Sequence, residues 1–209
     1  MTFPARQRRL LRDEDGDLAV LEGRTIAVLG YGLLGRPLAL NLRETGAGTV
    51  IVGSDDQPSS AQAVADGFVV ESLAEATAAA DVALLLVPDE AQPEVMERIA
   101  PRLRPGSTLL FASGYALAYD LVSPPPGVNI VLFAPRMSGD PIRARFLAGQ
   151  GFLSYVGVEQ EATPDAWPIL LAVAKASGSL RHGSLEMTAR DEALLDLFVE
   201  QAFGPWLGA

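Results

Sequence analysis

The sequence predicts an α/β fold: a doubly wound, mostly parallel sheet with a short C-terminal helical extension. Three observations carry this reading. Short continuous apolar runs alternate with helix-forming stretches along most of the chain. The runs lack the every-other-residue polarity of a half-exposed strand, so they suit strands buried on both faces. The first run ends in Gly30-Tyr31-Gly32-Leu33-Leu34-Gly35, directly before a helical stretch.

Taken in order, Thr25-Ile26-Ala27-Val28-Leu29 is the first strand, and Arg36 to Glu44 is a helix stopped near Gly46. Thr49-Val50-Ile51-Val52 is the second strand, and Ser59 to Ala65 is a helical turn or more before Asp66-Gly67. Phe68-Val69-Val70 is a brief third strand. Ser72 caps a helix running to Ala80, with Glu75 at the reciprocal capping-box position. Val82 to Val87 is the fourth strand, closed by Pro88, and Gln92 to Ile99 is helical. Ser107 to Ala112 and Asn129 to Ala134 are the fifth and sixth strands, joined through the stiff connector Pro124-Pro125-Pro126. Gly151 to Val158 reads as a further strand, Pro168 to Ser177 as a helix and Leu180-Arg181-His182 as short and extended. A last helix runs from Thr188 to about Phe203, broken by Gly204-Pro205. Residues 1–185 are thus expected to form one nucleotide-binding domain and 186–209 a helical extension.

The glycine run has the form and the context of a dinucleotide cradle. It follows a strand, opens a helix and lies in a βαβ unit of Rossmann type. Gly30 allows the tight turn, Gly32 lets the main chain approach a pyrophosphate, and Gly35 lets the helix pack on the strand. Tyr31, Leu33 and Leu34 complete the loop, whose free N–H groups and helix-end dipole favour an anion. The adenosine ribose is expected at Ser54-Asp55-Asp56, with Ser59 close behind. An acid there accepts hydrogen bonds from a ribose 2′-hydroxyl and repels a 2′-phosphate. No arginine or lysine lies in that loop, so NADH is favoured over NADPH.

Composition narrows the partners. Twenty-six acidic and sixteen basic residues give a net charge of −10, so no nucleic-acid partner is expected. There is no cysteine and one histidine, His182, which excludes thiolate chemistry and a His-rich metal site. No apolar run reaches the roughly 18 residues of a membrane span, and the charged start Met1 to Arg9 lacks the apolar core of a secretory signal. That start reads as a solvated tail, and the cytoplasm is the expected compartment. Leu194, Leu195, Leu197, Phe198, Val199, Phe203, Trp206 and Leu207 crowd the end of the chain. One Rossmann domain does not readily bury such a set, so a homodimer packed through these helices is expected.

The stretch "RDEDGDLAVLEGRTIAVLGYGLLGRPLALNLRETG" resembles the opening of ketol-acid reductoisomerase, and "ADVALLLVPDEAQPEV", "LRPGSTLLFASGY", "VLFAPR" and "LLDLFVEQAFG" resemble the same family in the same order. The resemblance spans about residues 10 to 204. It implies an NAD(P)H-dependent enzyme that uses magnesium to shift an alkyl group in a 2-acetohydroxy acid and then reduces the ketone. It places Asp196 and Glu200 at magnesium-ligand positions; the nicotinamide itself is expected past the carboxyl ends of the strands, near Val87, Pro88, Ser113 and Pro135. Those two acids are also four residues apart, on one face of the last helix, with Glu192 one turn earlier.

This chain departs from the family pattern at three places. Ser113 stands where the family has a histidine, Arg136 where it has a catalytic lysine, and Met137-Ser138-Gly139-Asp140 replaces a Gly-Pro-Gly-His-like run. Arginine stays charged and does not trade protons as lysine does. The sequence also ends at Ala209, before the helical domain that completes the family's metal site. The expectation is therefore a reductase acting on a small carbonyl or imine without the isomerisation step and with at most half a magnesium site. Ser113, Tyr115 or Tyr119 would donate the proton, and Arg136 would hold a substrate carboxylate. The alternatives are a truncated magnesium-dependent reductoisomerase and a non-catalytic nucleotide-binding module.

Overall fold

A computed structural model describes residues 8–207. Met1–Gln7, read above as part of a solvated tail, lie outside the described residues, as do the side chains of Pro205 and Leu207. The strands are β1 (Leu10–Leu11), β2 (Thr25–Leu29), β3 (Thr49–Gly53), β4 (Val70–Glu71), β5 (Val82–Leu85), β6 (Thr108–Phe111), β7 (Asn129–Pro135), β8 (Ser154–Gln160) and β9 (Ser184–Glu186). They form one mixed sheet in the order β1-β9-β8-β7-β6-β5-β2-β3-β4. The six strands from β4 across to β7 are all parallel, as the apolar runs predict. β8 is antiparallel to β7, β9 is parallel to β8, and β1 is antiparallel to β9.

The helices are α1 (Gly35–Thr45), α2 (Gln57–Ala65), α3 (Leu73–Ala79), α4 (Gln92–Ile99), α5 (Tyr115–Ala118), α6 (Asp140–Leu147), α7 (Ala166–Ser177) and α8 (Ala189–Leu197). Their termini follow the local chemistry. Ser72 accepts from the Glu75 N–H while Glu75 reaches back to the Ser72 N–H, a full capping box on α3. Asp56 caps α2 through the Ser59 N–H, and Thr188 caps α8 through the Asp191 N–H. Gly46 and Gly178 end α1 and α7 in left-handed conformation.

The sheet is buried on both faces, which explains why its strands read as unbroken apolar runs. Val28, Val52, Leu84, Leu110 and Val131 point to one face and pack with Leu38 and Leu42 of α1 and Ile169, Leu170 and Val173 of α7. Ala27, Leu29, Ile51, Leu85, Leu109 and Phe111 point to the other and pack with Leu73 and Ala76 of α3 and Val95, Met96 and Ile99 of α4. The alternation is present but hidden, because both layers are apolar.

Four readings need correction. Leu180 to His182 is not extended; Ser179–Arg181 form a 3-10 turn, and the strand follows at Ser184. The expected domain boundary at 185/186 falls inside that strand. The last helix is not broken at Gly204-Pro205; after α8 the backbone widens to a π-helix over Phe198–Phe203 and runs on to Leu207. Pro205 lacks the N–H that a regular ladder would need, and widened turns of this kind accommodate such a gap. Finally, Arg8 and Arg9 are not free in solvent: they pair with Asp191 at 3.0 Å and Glu186 at 2.6 Å, which stitches β1 to the sheet's edge.

Asn129 is a buried polar anchor at the start of β7. Its Oδ1 accepts the Ala162 and Thr163 N–H groups at 2.8 and 2.9 Å, and its Nδ2 donates to Thr163 Oγ1 at 2.8 Å. Asn129→Ala strands two main-chain donors, and each costs about 1–3 kcal/mol when buried. The expected outcome is a loss of about 2–4 kcal/mol in urea unfolding with an unchanged m-value.

Candidate functional site

β2 and β3 run to one side and β5 to the other, so the sheet switches direction between β2 and β5. Loops beyond the carboxyl ends of these strands diverge there and leave a crevice, the usual ligand position in such sheets. A cleft of about 730 Å³ occupies that place. It is lined by Gly30–Leu34 after β2, Ser54, Asp55, Asp56 and Ser59 after β3, Val87, Pro88 and Asp89 after β5, and Ser113 after β6. From β3 to β6 it crosses three strand intervals, about 14 Å at the usual spacing.

The glycine loop shapes the middle of the cleft. Gly30 has φ +100°, and a Cβ there would lie 3.0 Å from the Leu86 carbonyl group. A Cβ on Gly35 would lie 1.9 Å from the Gly30 carbonyl oxygen, so the head of α1 sits hard against the end of β2. Gly32 is different. Its φ is not positive, and a Cβ there would meet nothing within 4 Å. No packing demand within the protein accounts for a glycine at 32. Among the described residues, no group accepts a hydrogen bond from the main-chain N–H of Gly32, Leu33 or Leu34. Three bare donors at a helix head suit a pyrophosphate, so the residues present fit a dinucleotide.

The loop is braced from behind. Tyr31 is buried and stacks edge-on against Phe68 with ring centres 5.7 Å apart. Its hydroxyl donates to Asp66 Oδ2 at 3.0 Å, and Arg36 donates to the same carboxylate at 2.7 and 3.2 Å. Burial, and then the bond to Asp66, pushes the Tyr31 phenol well above its ordinary range. The Arg36 hydrogen bond holds Asp66 below the usual carboxylate range. With its side chain turned inward, Tyr31 offers the cleft its main chain. Gly35 shapes the loop but does not line the cleft.

At the β3 end, Asp55 Oδ1 accepts the Leu73 N–H at 3.2 Å, and its other oxygen is paired with Arg98. Arg98 belongs to α4, forty-three residues on, and lines the same cleft. The statement that no cation lies in the ribose loop holds for the loop's own sequence; the fold brings one in from elsewhere.

At the β6 end, Ser113 Oγ donates to Asp89 Oδ2 at 3.0 Å and accepts the Tyr115 N–H at 3.2 Å. Gln92 Nε2 donates to the other Asp89 oxygen at 2.8 Å. Burial raises the Asp89 carboxyl above its ordinary range, against the opposing bond from Ser113. Asp89 and Ser113 also line a second cavity of about 480 Å³, together with Glu90, Tyr115, Leu121, Asp196 and Glu200. Thus Ser113, Tyr115, Pro88, Asp196 and Glu200 are brought together, and Asp89, which sequence reading passed over, joins the two spaces. Tyr119 stacks on Tyr115 at 5.0 Å. His182 lies at the end of the 3-10 turn near β9, and its carbonyl accepts from Arg12.

Arg136 is placed differently from the expectation. It lines neither cavity. Its Nη1 donates to Glu192 at 2.7 Å and its Nη2 to Asp196 at 2.6 Å, with the guanidinium over the Tyr155 ring. Glu192 also accepts the Gly114 N–H at 2.7 Å. Burial raises the Glu192 carboxyl even so, with Gly114 and Arg136 opposing. A fork that holds two of the protein's own carboxylates is not free to grip a substrate's. The same pairing bears on magnesium. Asp196 already has a cationic partner, Glu200 is exposed, and among the described residues no three acidic or histidine side chains converge on one point. Within this chain the residues do not fit a two-magnesium site.

Comparison with known proteins agrees with the geometry. Residues 20–183 match the family model described as acetohydroxy acid isomeroreductase, NADPH-binding domain. The chain is 43% identical over 194 residues to a protein named ketol-acid reductoisomerase (NADP(+)) from Pyrobaculum calidifontis, and 40% identical to one of the same name from Renibacterium salmoninarum. In each case 92% of this chain aligns, with 59% and 57% of the relative, so the chain spans under three fifths of these proteins' length. A solved NADH-preferring ketol-acid reductoisomerase from an uncultured archean superposes with a TM-score of 0.88 at 36% identity, over 92% of this chain and 60% of that one. An imine reductase from Pseudomonas sp. superposes at 0.64 with 19% identity, over 89% of this chain and 65% of that one, a likeness of fold alone.

The Asp66 brace generates a pH-dependent prediction. Its carboxyl is held below the unfolded value of about 3.9, so its stabilisation is complete above that pH and is lost as pH falls through the lower folded value. Asp66→Asn should therefore lower unfolding free energy by about 1–2 kcal/mol at neutral pH. The gap to the unchanged protein should close as pH falls below about 4, read by denaturant melts across pH.

Proposed function

Because the chain belongs to the acetohydroxy acid isomeroreductase family, we propose that it binds NAD(P)H in the switch-point cleft and directs hydride to a small carbonyl or imine in the adjoining cavity. The observation that carries this is the bare glycine loop: three unpaired N–H groups and a glycine at 32 that only a ligand requires. NADH is the favoured form, since Asp55 stands where an adenosine ribose would lie and the one cation beside it is already paired.

Bound nicotinamide supplies the hydride; the chain supplies position and a proton. Pro88 and Ser113 border the nicotinamide end of the cleft, and Ser113 and Asp89 also border the second cavity. Ser113 Oγ is placed to give its proton to the nascent alkoxide or amide nitrogen and to regain one from water, while Asp89, which accepts the Ser113 hydroxyl, fixes its orientation. Tyr115 walls the same cavity. No step is assigned to magnesium, because Asp196 is committed to Arg136.

The short coverage of the relatives favours a second reading, in which these residues are the nucleotide-binding part of a magnesium-dependent reductoisomerase. Both readings place the protein in the cytoplasm; no helix among the described residues is long and apolar enough to cross a membrane. Leu194, Phe198, Val199, Phe203 and Trp206 are exposed along one continuous helical segment. We assign this apolar surface to a second copy of the chain, whose matching segment would bury it beside the cavity holding Asp196 and Glu200.

Loss of reduced-nicotinamide absorbance with a panel of ketones and cyclic imines, without metal, is the expected result. Turnover of acetolactate only with magnesium would establish the second reading, and cofactor binding without any turnover a nucleotide-binding module. Gly32→Val should melt with the unchanged protein yet bind NADH at least about tenfold more weakly, since the side chain enters only the ligand's space. Light scattering at micromolar concentration should give the mass of a dimer; a monomer there rejects the assignment of the apolar surface.

A further inference from the structure

Asp55 and Arg98 come from opposite sides of the cleft and meet at its β3 end. Asp55 is fixed by more than this contact, because its Oδ1 also accepts the Leu73 N–H at the head of α3. Arg98 rises from the last turn of α4 and has no other hydrogen-bond partner among the described residues. Among the described residues it is the one basic side chain lining the cleft, against Asp55, Asp56 and Asp89. Both partners are partly exposed, with side chains 46% and 34% accessible, so the pair is a weak one by the standards of ion pairs. A pair of this kind leaves Arg98 free to turn to another anion once the Asp55 charge is gone.

We propose that this pair selects between the two nicotinamide dinucleotides, with Arg98 a masked 2′-phosphate site. The inference rests on the cleft's being a dinucleotide site. With the pair closed, the Asp55 carboxylate is steered toward the ribose hydroxyls and the Arg98 charge is neutralised. An incoming 2′-phosphate then meets a pair with no net charge, the uncompensated Asp56 carboxylate and no available cation. With the Asp55 charge removed, Arg98 is released, and its planar fork matches a phosphate in a bidentate manner. The chain would thus carry the means of binding either cofactor and suppress one of them through a single carboxylate.

The test is a two-residue cycle read by calorimetric titration with NADH, NADPH, 5′-ADP and 2′,5′-ADP. Asp55→Asn keeps the oxygen that accepts the Leu73 N–H while losing the charge; Arg98→Gln removes the cation; the double variant removes both. The unchanged protein should bind NADH and 5′-ADP more tightly than their 2′-phosphorylated counterparts. Asp55→Asn should tighten NADPH and 2′,5′-ADP by about tenfold or more, the effect of one charge-assisted phosphate contact, with NADH changed only a few-fold. In the double variant that gain should vanish. The proposal fails if Asp55→Asn leaves the NADPH-to-NADH ratio unmoved, or if the gain survives loss of Arg98. If no nucleotide binds to any form while all melt cooperatively, the dinucleotide reading falls and takes this one with it. Binding of all four ligands with no dependence on residue 98 overturns the selectivity element alone.

Discussion

The contact between Gly30 and Gly35 governs everything else in the cleft. At 1.9 Å from the Gly30 carbonyl oxygen there is no room for a β-carbon on residue 35, so helix α1 starts as close to β2 as a backbone allows. That closeness turns three successive N–H groups outward with nothing to bond. Gly53 extends the same constraint to the neighbouring strand, where a β-carbon would sit 2.7 Å from Leu29 and 2.9 Å from Ala76. On the far side, Asp66 ties Tyr31 and Arg36 together. Main chain is squeezed from the front and anchored from the rear, which leaves the loop rigid before any ligand arrives. Rigidity of this sort reduces the ordering cost of binding.

Charge at the opposite end is organised around one buried acid. Glu192 is 1% exposed and spans three elements: its own helix α8, the Gly114 N–H after β6, and Arg136 at the end of β7. Leaving either charge of such a buried pair alone is strongly unfavourable, so α8 cannot swing away from the sheet without exposing both to solvent or stranding one. The pairing also explains why an arginine at position 136 matters physically. A planar fork bridges two carboxylates at once, whereas an ammonium is a compact point charge. Asp196, which lines the second cavity, is therefore held by an internal cation that does not itself line it.

What was legible in the sequence was local. β2, β3, β5, β6 and β7 announce themselves because each is a continuous apolar run, and the α3 cap because Ser72 and Glu75 lie within one turn. The glycine loop is legible because strand, turn and helix adjoin. Arg98 was not, since on α4 it looks like any solvent-facing arginine; only the packing of α3 beside α4 brings it over Asp55. Asp89 lies in a stretch that resembles the family, but its surroundings depend on Ser113 arriving from beyond β6. β1 and β9 escaped notice because strands of two and three residues carry no readable period. Arg136 was assigned to substrate for a similar reason: its sequence neighbourhood says nothing of two acids waiting on α8.

The placement of β1 has a consequence for how the molecule assembles. β2 through β7 are complete by residue 135, and their parallel pairing needs nothing from later in the chain. β1 precedes them all, yet its only neighbour in the sheet is β9, some 170 residues downstream. During synthesis on the ribosome, Leu10 and Leu11 must wait for their sheet partner until residues 184–186 have emerged. Closing that seam brings the Arg8 and Arg9 pairs with it, and is necessarily among the last events of folding.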